Sequence, residues 1–301
     1  MITNLAFKGG GVRGIAFVGA LRELELVGQL NEVKRVAGTS AGALVAAMYA
    51  LGYSIDQIEK LMQGLDFKQF EDGFNPLRVA SHYGLYEGNY ILDFAHSLLE
   101  NCGKGLNAHS TFAEMRAAGC KDLYVFATNL NTHSVVELSA DSTPGAIVAE
   151  AVRASMSIPI FFKAWQFSNS IPDDHIYVDG GMVFNYPLSF FDNDRFVSNN
   201  ADDINLETVG LYVHSKTPAP EKNELSFHTL MHYTRHLFET LLDVQDQDIG
   251  EDGDQVKRSI MIDDLGIKST DFHLTGDDMN NLVASGALGA KSFLSGIAAT
   301  K

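Results

Sequence analysis

The chain has 301 residues, 46% hydrophobic and 20% charged, ordinary values for a folded globular protein that exclude collagen-like, low-complexity and disordered classes. Lys plus Arg number 22 against 38 for Asp plus Glu, a formal net charge of −16, and a field of that sign repels a phosphate backbone, so no nucleic-acid partner is expected. It also disfavours nonspecific adsorption to anionic lipid, so any membrane contact must come from a local apolar or basic patch, or from a partner.

In chain order, Ile2 to Phe7 reads as a short strand ending on Gly9-Gly10-Gly11. The period then changes, with Ile15, Val18, Leu21 and Leu24 on one helical face. Arg35-Val36-Ala37 is a second strand, closed by Gly38, and Ala41, Leu44, Val45, Met48 and Leu51 describe a helix stopped by Gly52. Ser54 with Gln57 forms a capping box for a helix through Met62. Strand, glycine turn and helix, repeated, is an α/β signature.

The stretch from Gly64 to Asn89 is the least regular, with Phe67, Phe70, Phe74, Tyr83 and Tyr86 among glycines and a proline. Helices are expected at Tyr90–Leu99 and Thr111–Ala118. A buried strand is expected at Leu123–Thr128, with Val135–Leu138 as its hairpin partner. Ala146–Arg153 reads as a helix broken at Ile158-Pro159, and Ile176–Val178 as a strand running into Asp179-Gly180-Gly181. A strand at Val209–Val213 and helices at Leu225–Val244 and Asp277–Ala298, with Ile260–Ile262 between them, complete the pattern. No repeat or Pro/Ser-rich linker divides the chain, so residues 1–301 are expected to form a single domain.

Cys102 and Cys120 are the only cysteines and read as structural thiols in a reducing compartment. The opening lacks a basic region followed by a long apolar core. The mostly apolar run Ala41 to Tyr53 is shorter than the roughly 18–20 residues that span a bilayer. A soluble cytoplasmic protein is expected, with export by a specialised secretion system left open.

Gly38-Thr39-Ser40-Ala41-Gly42 fits G-x-S-x-G, the nucleophile elbow, with the apolar strand before it and the helix after it that the motif requires. Ser40 is thus a candidate nucleophile at a helix N-terminus, where dipole and unpaired N–H groups favour negative charge; the alternative is a helix N-cap serine. Gly9-Gly10-Gly11-Val12-Arg13-Gly14 leaves backbone N–H groups open to an anion. It lacks the Lys-Ser/Thr of a P-loop and the acidic partner of a dinucleotide fingerprint, so an oxyanion hole explains it better than a phosphate site. Arg13 either orients that loop, meets a substrate phosphate, or is a surface arginine. None of the ten histidines stands in a pattern that marks a triad, and Asp179, on a strand end before two glycines, is the candidate base or else a turn residue.

These motifs in this order resemble the patatin-like phospholipase family. Phe126-Ala127-Thr128-Asn129-Leu130-Asn131-Thr132, Ala151-Val152-Arg153-Ala154-Ser155-Met156-Ser157-Ile158-Pro159, and the Asn185 and Pro187 that trail Asp179 resemble its further blocks. The tail from Arg258 to Leu294 is similar to bacterial members, so the resemblance spans nearly the whole chain. It implies an α/β three-layer sandwich with a mostly parallel central sheet and helices on both faces. It also implies a cap-like helical insert at 64–120 and a Ser40–Asp179 dyad needing neither histidine nor cofactor. The oxyanion loop would comprise Gly9, Gly10, Gly11, Arg13 and Gly14, and the substrate would be a phospholipid or lysophospholipid met by peripheral membrane contact. Acyl transfer to a lipid alcohol, a non-catalytic lipid- or partner-binding module, and an activating protein partner stay open.

The aromatic stretch around Phe70 and Phe74 reads either as the acyl-chain access or as a satellite core. His228, His232 and His236 recur every four residues on one helix, but no further ligand completes a metal site and none is expected. Asp246–Asp254 lacks the EF-hand register and reads as a solvated acidic loop.

Overall fold

A computed structural model of the chain describes residues 1–168, 170–197, 204–216, 230–251 and 253–299. The first half alternates as its sequence pattern dictates. β1 (Asn4–Phe7) passes through a 3-10 turn, Gly11–Ile15, into α1 (Ala16–Leu26), and β2 (Arg35–Thr39) passes through Ser40 into α2 (Ala41–Leu51). All of α2 is apolar and buried, as befits a helix that is hydrophobic on every side. α3 (Ile55–Gln63) starts on the expected capping box, Ser54 and Gln57 each satisfying the other's backbone N–H.

After a 3-10 turn at Phe67–Glu71 come α4 (Arg78–His82), β3 (Gly84–Tyr86), α5 (Asn89–Asn101) and α6 (Phe112–Ala117). Then follow β4 (Asp122–Asn129), β5 (Ser134–Ser139), α7 (Val148–Ser155), β6 (Ile160–Phe162) and β7 (Tyr177–Asp179). The described remainder is β8 (Thr208–His214), α8 (Leu230–Glu251), α9 (Gly253–Lys257), β9 (Ser259–Asp263) and α10 (Gly276–Ala299).

The sheet runs β5-β4-β2-β1-β8-β9, parallel throughout except for β5 and β7, which both pair antiparallel with β4. This is the mixed α/β architecture with a mostly parallel sheet that the sequence pattern and the family resemblance implied. One face presents Leu5, Phe7, Val36, Leu123, Val125 and Leu211 to a core shared with α1 and α2. The other presents Ala6, Ala37, Tyr124, Phe126 and Tyr212, packed by Phe184, Tyr186, Phe190, Phe191 and Phe196. Alternation along the strands separates the two sets, as the period of a pleated strand requires. β3 pairs with β6 in a separate two-stranded sheet, tying the 64–88 segment to the loop after α7.

Register positions the site. β2 pairs with β4 only as far as Thr39 opposite Phe126, while β4 runs on to Asn129. β7 takes the edge that β2 vacates, with Asp179 opposite Ala127. Asp179 therefore arrives where β2 turns into Ser40.

Two expectations are corrected or bounded here. Asp246–Asp254 is not a loop: it is helical to Glu251 and again from Gly253, Asp252 lying outside the described residues. Acidic composition does not separate a loop from a helix, and the stretch contains no proline to break one. His228 and the side chain of His232 lie outside the described residues, and His236 is half-buried with its Nδ1 4.0 Å from Glu239 Oε2.

Candidate active site

At the elbow the chain must leave β2 and enter α2 within one residue. Ser40 absorbs the reversal at φ 53° and ψ −127°, a left-sided conformation that a non-glycine residue keeps only when its surroundings enforce it. A side chain at Gly42 would run into the carbonyls of Phe7 and Lys8, so the close approach of β1 requires glycine there. The Ser40 side chain makes no capping hydrogen bond, which disposes of the N-cap reading. Its Oγ donates to Asp179 Oδ2 at 2.7 Å. The Ser40 N–H donates to Ser155 Oγ at 2.9 Å, and Ser155 Oγ donates to the Phe126 carbonyl at 2.5 Å.

Asp179 is fully buried. Its N–H donates to the Ser157 carbonyl at 2.9 Å, and its own carbonyl accepts from Thr128 Oγ1 at 3.0 Å. Oδ1 accepts the Gly181 N–H at 2.7 Å, leaving Oδ2 for Ser40. The carboxylate thus closes a turn and faces the serine at once. Burial pushes its pKa up to about 7, against the opposing pull of the Gly181 N–H, the Ser40 hydroxyl and the Arg153 charge. A carboxylate that titrates near neutrality is suited to proton transfer.

The glycine loop divides by role. Gly9 is no oxyanion donor, because its N–H is held by the Asn185 carbonyl at 2.9 Å. The N–H groups of Gly10 and Gly11 have no acceptor among the described residues. Gly11 sits at φ +56° with its Cα against the Ser269 carbonyl, a place only glycine fits. Gly14 lies inside the 3-10 turn with its Cα packed against Ala41. Arg13 does not face the serine: Nε donates to the Gly10 carbonyl at 3.1 Å, and Nη1 pairs with the buried Asp264 at 2.7 Å. Of its sequence readings, orienting the loop is the one that this geometry fits.

An apolar cavity of about 30 Å³ adjoins Ser40, walled by Leu44, Met62, Phe67, Phe70, Met156 and Phe272. Phe70 is 5% exposed, its ring 5.4 Å from Phe67 and 5.7 Å from both Tyr90 and Phe272. Phe74 is 58% exposed, stacks near Tyr86 and is no part of the wall. The two phenylalanines, read together from sequence, thus part company.

Sequence reasoning gave no role to Ser155, Ser157, Asn185 or Gln245. Ser155 and Ser157 had a signal, being polar residues at the end of an apolar helix. Asn185 Nδ2 reaches toward the Gly9 carbonyl at 3.5 Å, and the Asn185 N–H donates to Gln245 Oε1 at 3.0 Å, so Asn185 links the glycine loop to the Asp179 turn and to α8. Gln245, which also donates to the Gly181 carbonyl at 2.7 Å, carried no signal in the sequence.

The family model of patatin-like phospholipase matches residues 5–192, a span that holds the glycine loop, Ser40 and Asp179. The chain belongs to the patatin-like phospholipase family. This patatin-like phospholipase is 31% identical over 311 residues to the uncharacterized protein YqhO of Bacillus subtilis, covering 98% of each chain. It is 28% identical over 228 residues to the cUMP-AMP-activated phospholipase of Escherichia coli, covering 72% of this chain and 66% of that one. Among solved structures it is similar to VipD from Legionella pneumophila, with a TM-score of 0.61 at 17% identity over 98% of this chain and 67% of that one. At that identity the likeness shows a shared fold. No helix of the described residues is long and apolar enough to cross a membrane.

Proposed function

We propose that this lipid hydrolase cleaves the acyl ester of a phospholipid or lysophospholipid, with Ser40 as nucleophile and Asp179 as base. One observation carries the reading: the elbow serine donates a 2.7 Å hydrogen bond to a buried carboxylate. Among the described residues no histidine takes part in the hydrogen bonds of either group.

Ser40 Oγ attacks the ester carbonyl while its proton passes to Asp179 Oδ2. The oxyanion that forms is met by the Gly10 and Gly11 N–H groups and by the N-terminus of α2. Collapse breaks the ester C–O bond, and the Asp179 carboxylic acid returns its proton to the departing alcohol. Water, deprotonated by Asp179, then attacks the acyl-serine, and the fatty acid leaves as Ser40 is regenerated. The apolar wall beside Ser40 suits an acyl chain, which has no polar group to satisfy there.

The test is product analysis on a mixed lipid extract, together with labelling by a fluorophosphonate probe. Free fatty acid from the wild type, none from Ser40→Ala, and label on Ser40 alone are expected. An acyl-transfer product in place of free fatty acid, or hydrolysis retained by Ser40→Ala, would overturn the reading.

A further inference from the structure

Arg153 on α7 is wholly buried, and the steps above do not use it. A buried guanidinium must be saturated with hydrogen bonds or paired with an anion. Its hydrogen bonds reach no carboxylate. Nη1 donates to Ser157 Oγ at 2.6 Å, while Nη2 donates to the carbonyls of Glu87 at 2.7 Å and Lys163 at 3.1 Å. The guanidinium also lies over the rings of Phe162 and Trp165, 5.3 and 5.6 Å from their centroids. Its charge is therefore not cancelled by contact, and a cation in a low-dielectric interior acts at longer range than one in water.

Two carboxylates feel that charge: Asp72, from the turn after Phe67–Glu71, and Asp179, from β7. Asp72 is itself occupied in receiving the N–H groups of Gly88, Asn89 and Tyr90 at the start of α5. Around Asp179 the groups are Arg153 from α7, the neutral Ser40 hydroxyl from the elbow and the Gly181 N–H from its own turn, with the neutral Gln245 of α8 one step behind at the Gly181 carbonyl. The mechanical link is as direct. Ser157 Oγ donates back to the Arg153 carbonyl at 2.9 Å, and the Ser157 carbonyl holds the Asp179 N–H. Two residues earlier, Ser155 holds the Ser40 N–H.

We propose that Arg153 is a positioning residue for the reaction: its guanidinium fixes the turn at 155–157 that holds the backbones of both Ser40 and Asp179, and supplies the positive charge that faces the Asp179 carboxylate. The inference rests on the Ser40–Asp179 reading. Burial lowers the Arg153 pKa to about 10, so it stays protonated at neutral pH.

The experiment is the pH profile of kcat/KM for a soluble short-chain nitrophenyl ester, measured on the full chain and four variants. Arg153→Met removes the charge, so the acid limb is expected to move up by about one pH unit, a loss of about tenfold on that limb beyond any loss at the plateau. Arg153→Lys keeps the charge but not the fork; its plateau falls and its acid limb stays with the wild type. Arg153→Gln also removes the charge but leaves a polar side chain, so its limb moves up likewise, and this arm decides the matter if Arg153→Met does not fold. Acid limbs that coincide in Arg153→Met, Arg153→Gln and wild type would overturn the inference and leave Arg153 a structural residue. Asp179→Asn separates the two readings. An inactive Asp179→Asn with unmoved limbs elsewhere sinks only the role of Arg153, whereas an active one sinks the dyad and this inference with it.

Discussion

Burial of Asp179 has two consequences of opposite sign. Its pKa, raised from 3.8 to about 7, means that the folded state holds a proton the unfolded chain has released. The stability contributed by that proton is fully present below about pH 4 and is lost as pH rises through 7. Asp179→Asn is neutral at every pH, so it should melt higher than the wild type at pH 8, with the gap closing toward pH 4. Each pH unit separating the folded from the unfolded titration adds about 1.4 kcal/mol to that gap. On the proposed dyad the same variant also lacks the base and should lose about 10²–10⁴ in turnover. Unfolding curves at both pH values, with ester assays beside them, check the pair; an inactive protein that is also less stable at pH 8 would contradict it.

The glycines of the loop are not equivalent targets. Gly10 has φ −162°, which any residue adopts, and a Cβ there would meet only Arg13 Cβ at 4.0 Å. Gly10→Val should therefore fold with a near-native melting temperature yet lose about 10²–10³ in kcat, because on the proposed mechanism its side chain crowds the ester at an oxyanion donor. Gly11→Val should fail on stability first, being strained at its positive φ and blocked by Ser269. Equal melting temperatures for the two would refute the distinction.

Among elements, the 64–88 segment supplies Phe67 and Phe70 to the wall of the cavity beside Ser40. The cavity has room for about two water molecules at most, so an acyl chain fits only if the rings of Phe67, Phe70 and Phe272 shift. Phe70 is a wall residue, and Phe70→Asp would bury a charge among four rings. It should unfold the segment rather than merely weaken lipid binding. Phe74→Asp, on an exposed residue, should leave melting and soluble-ester turnover intact while reducing turnover of lipid vesicles. Thermal melts and paired assays on ester and vesicles separate these outcomes.

For the whole molecule, charge governs approach. At net charge −16, docking through the exposed apolar side chains Phe74, Leu77 and Tyr83 should favour neutral over anionic vesicles at low salt. Added salt should narrow the difference, since the Debye length falls from about 30 Å at 0.01 M to about 10 Å at 0.1 M. Co-sedimentation at both ionic strengths measures this. Stronger binding to anionic vesicles at low salt would mean that a basic patch does the docking instead.

Local pattern determined a great deal by itself. Period-two and period-3.6 runs gave β1, α1, β2 and α2 to within a few residues, because each element's apolar positions are set by its own repeat. Gly38 and Gly42 announced the elbow, because the steric demand there falls on immediate neighbours. Acidic composition misled at Asp246–Asp254, since charge carries no period that distinguishes helix from loop. What the tertiary structure decided depends on partners far apart in the chain. Ser40 and Asp179, 139 positions apart, meet only because β2 stops at Thr39 and β7 takes the vacated edge of β4. Gly9 lost its free N–H to Asn185, Arg13 turned to Asp264, and Phe70 went inside while Phe74 stayed out. Burial and hydrogen-bond pairing belong to pairs of residues rather than to positions, and only the folded chain chooses the pairs.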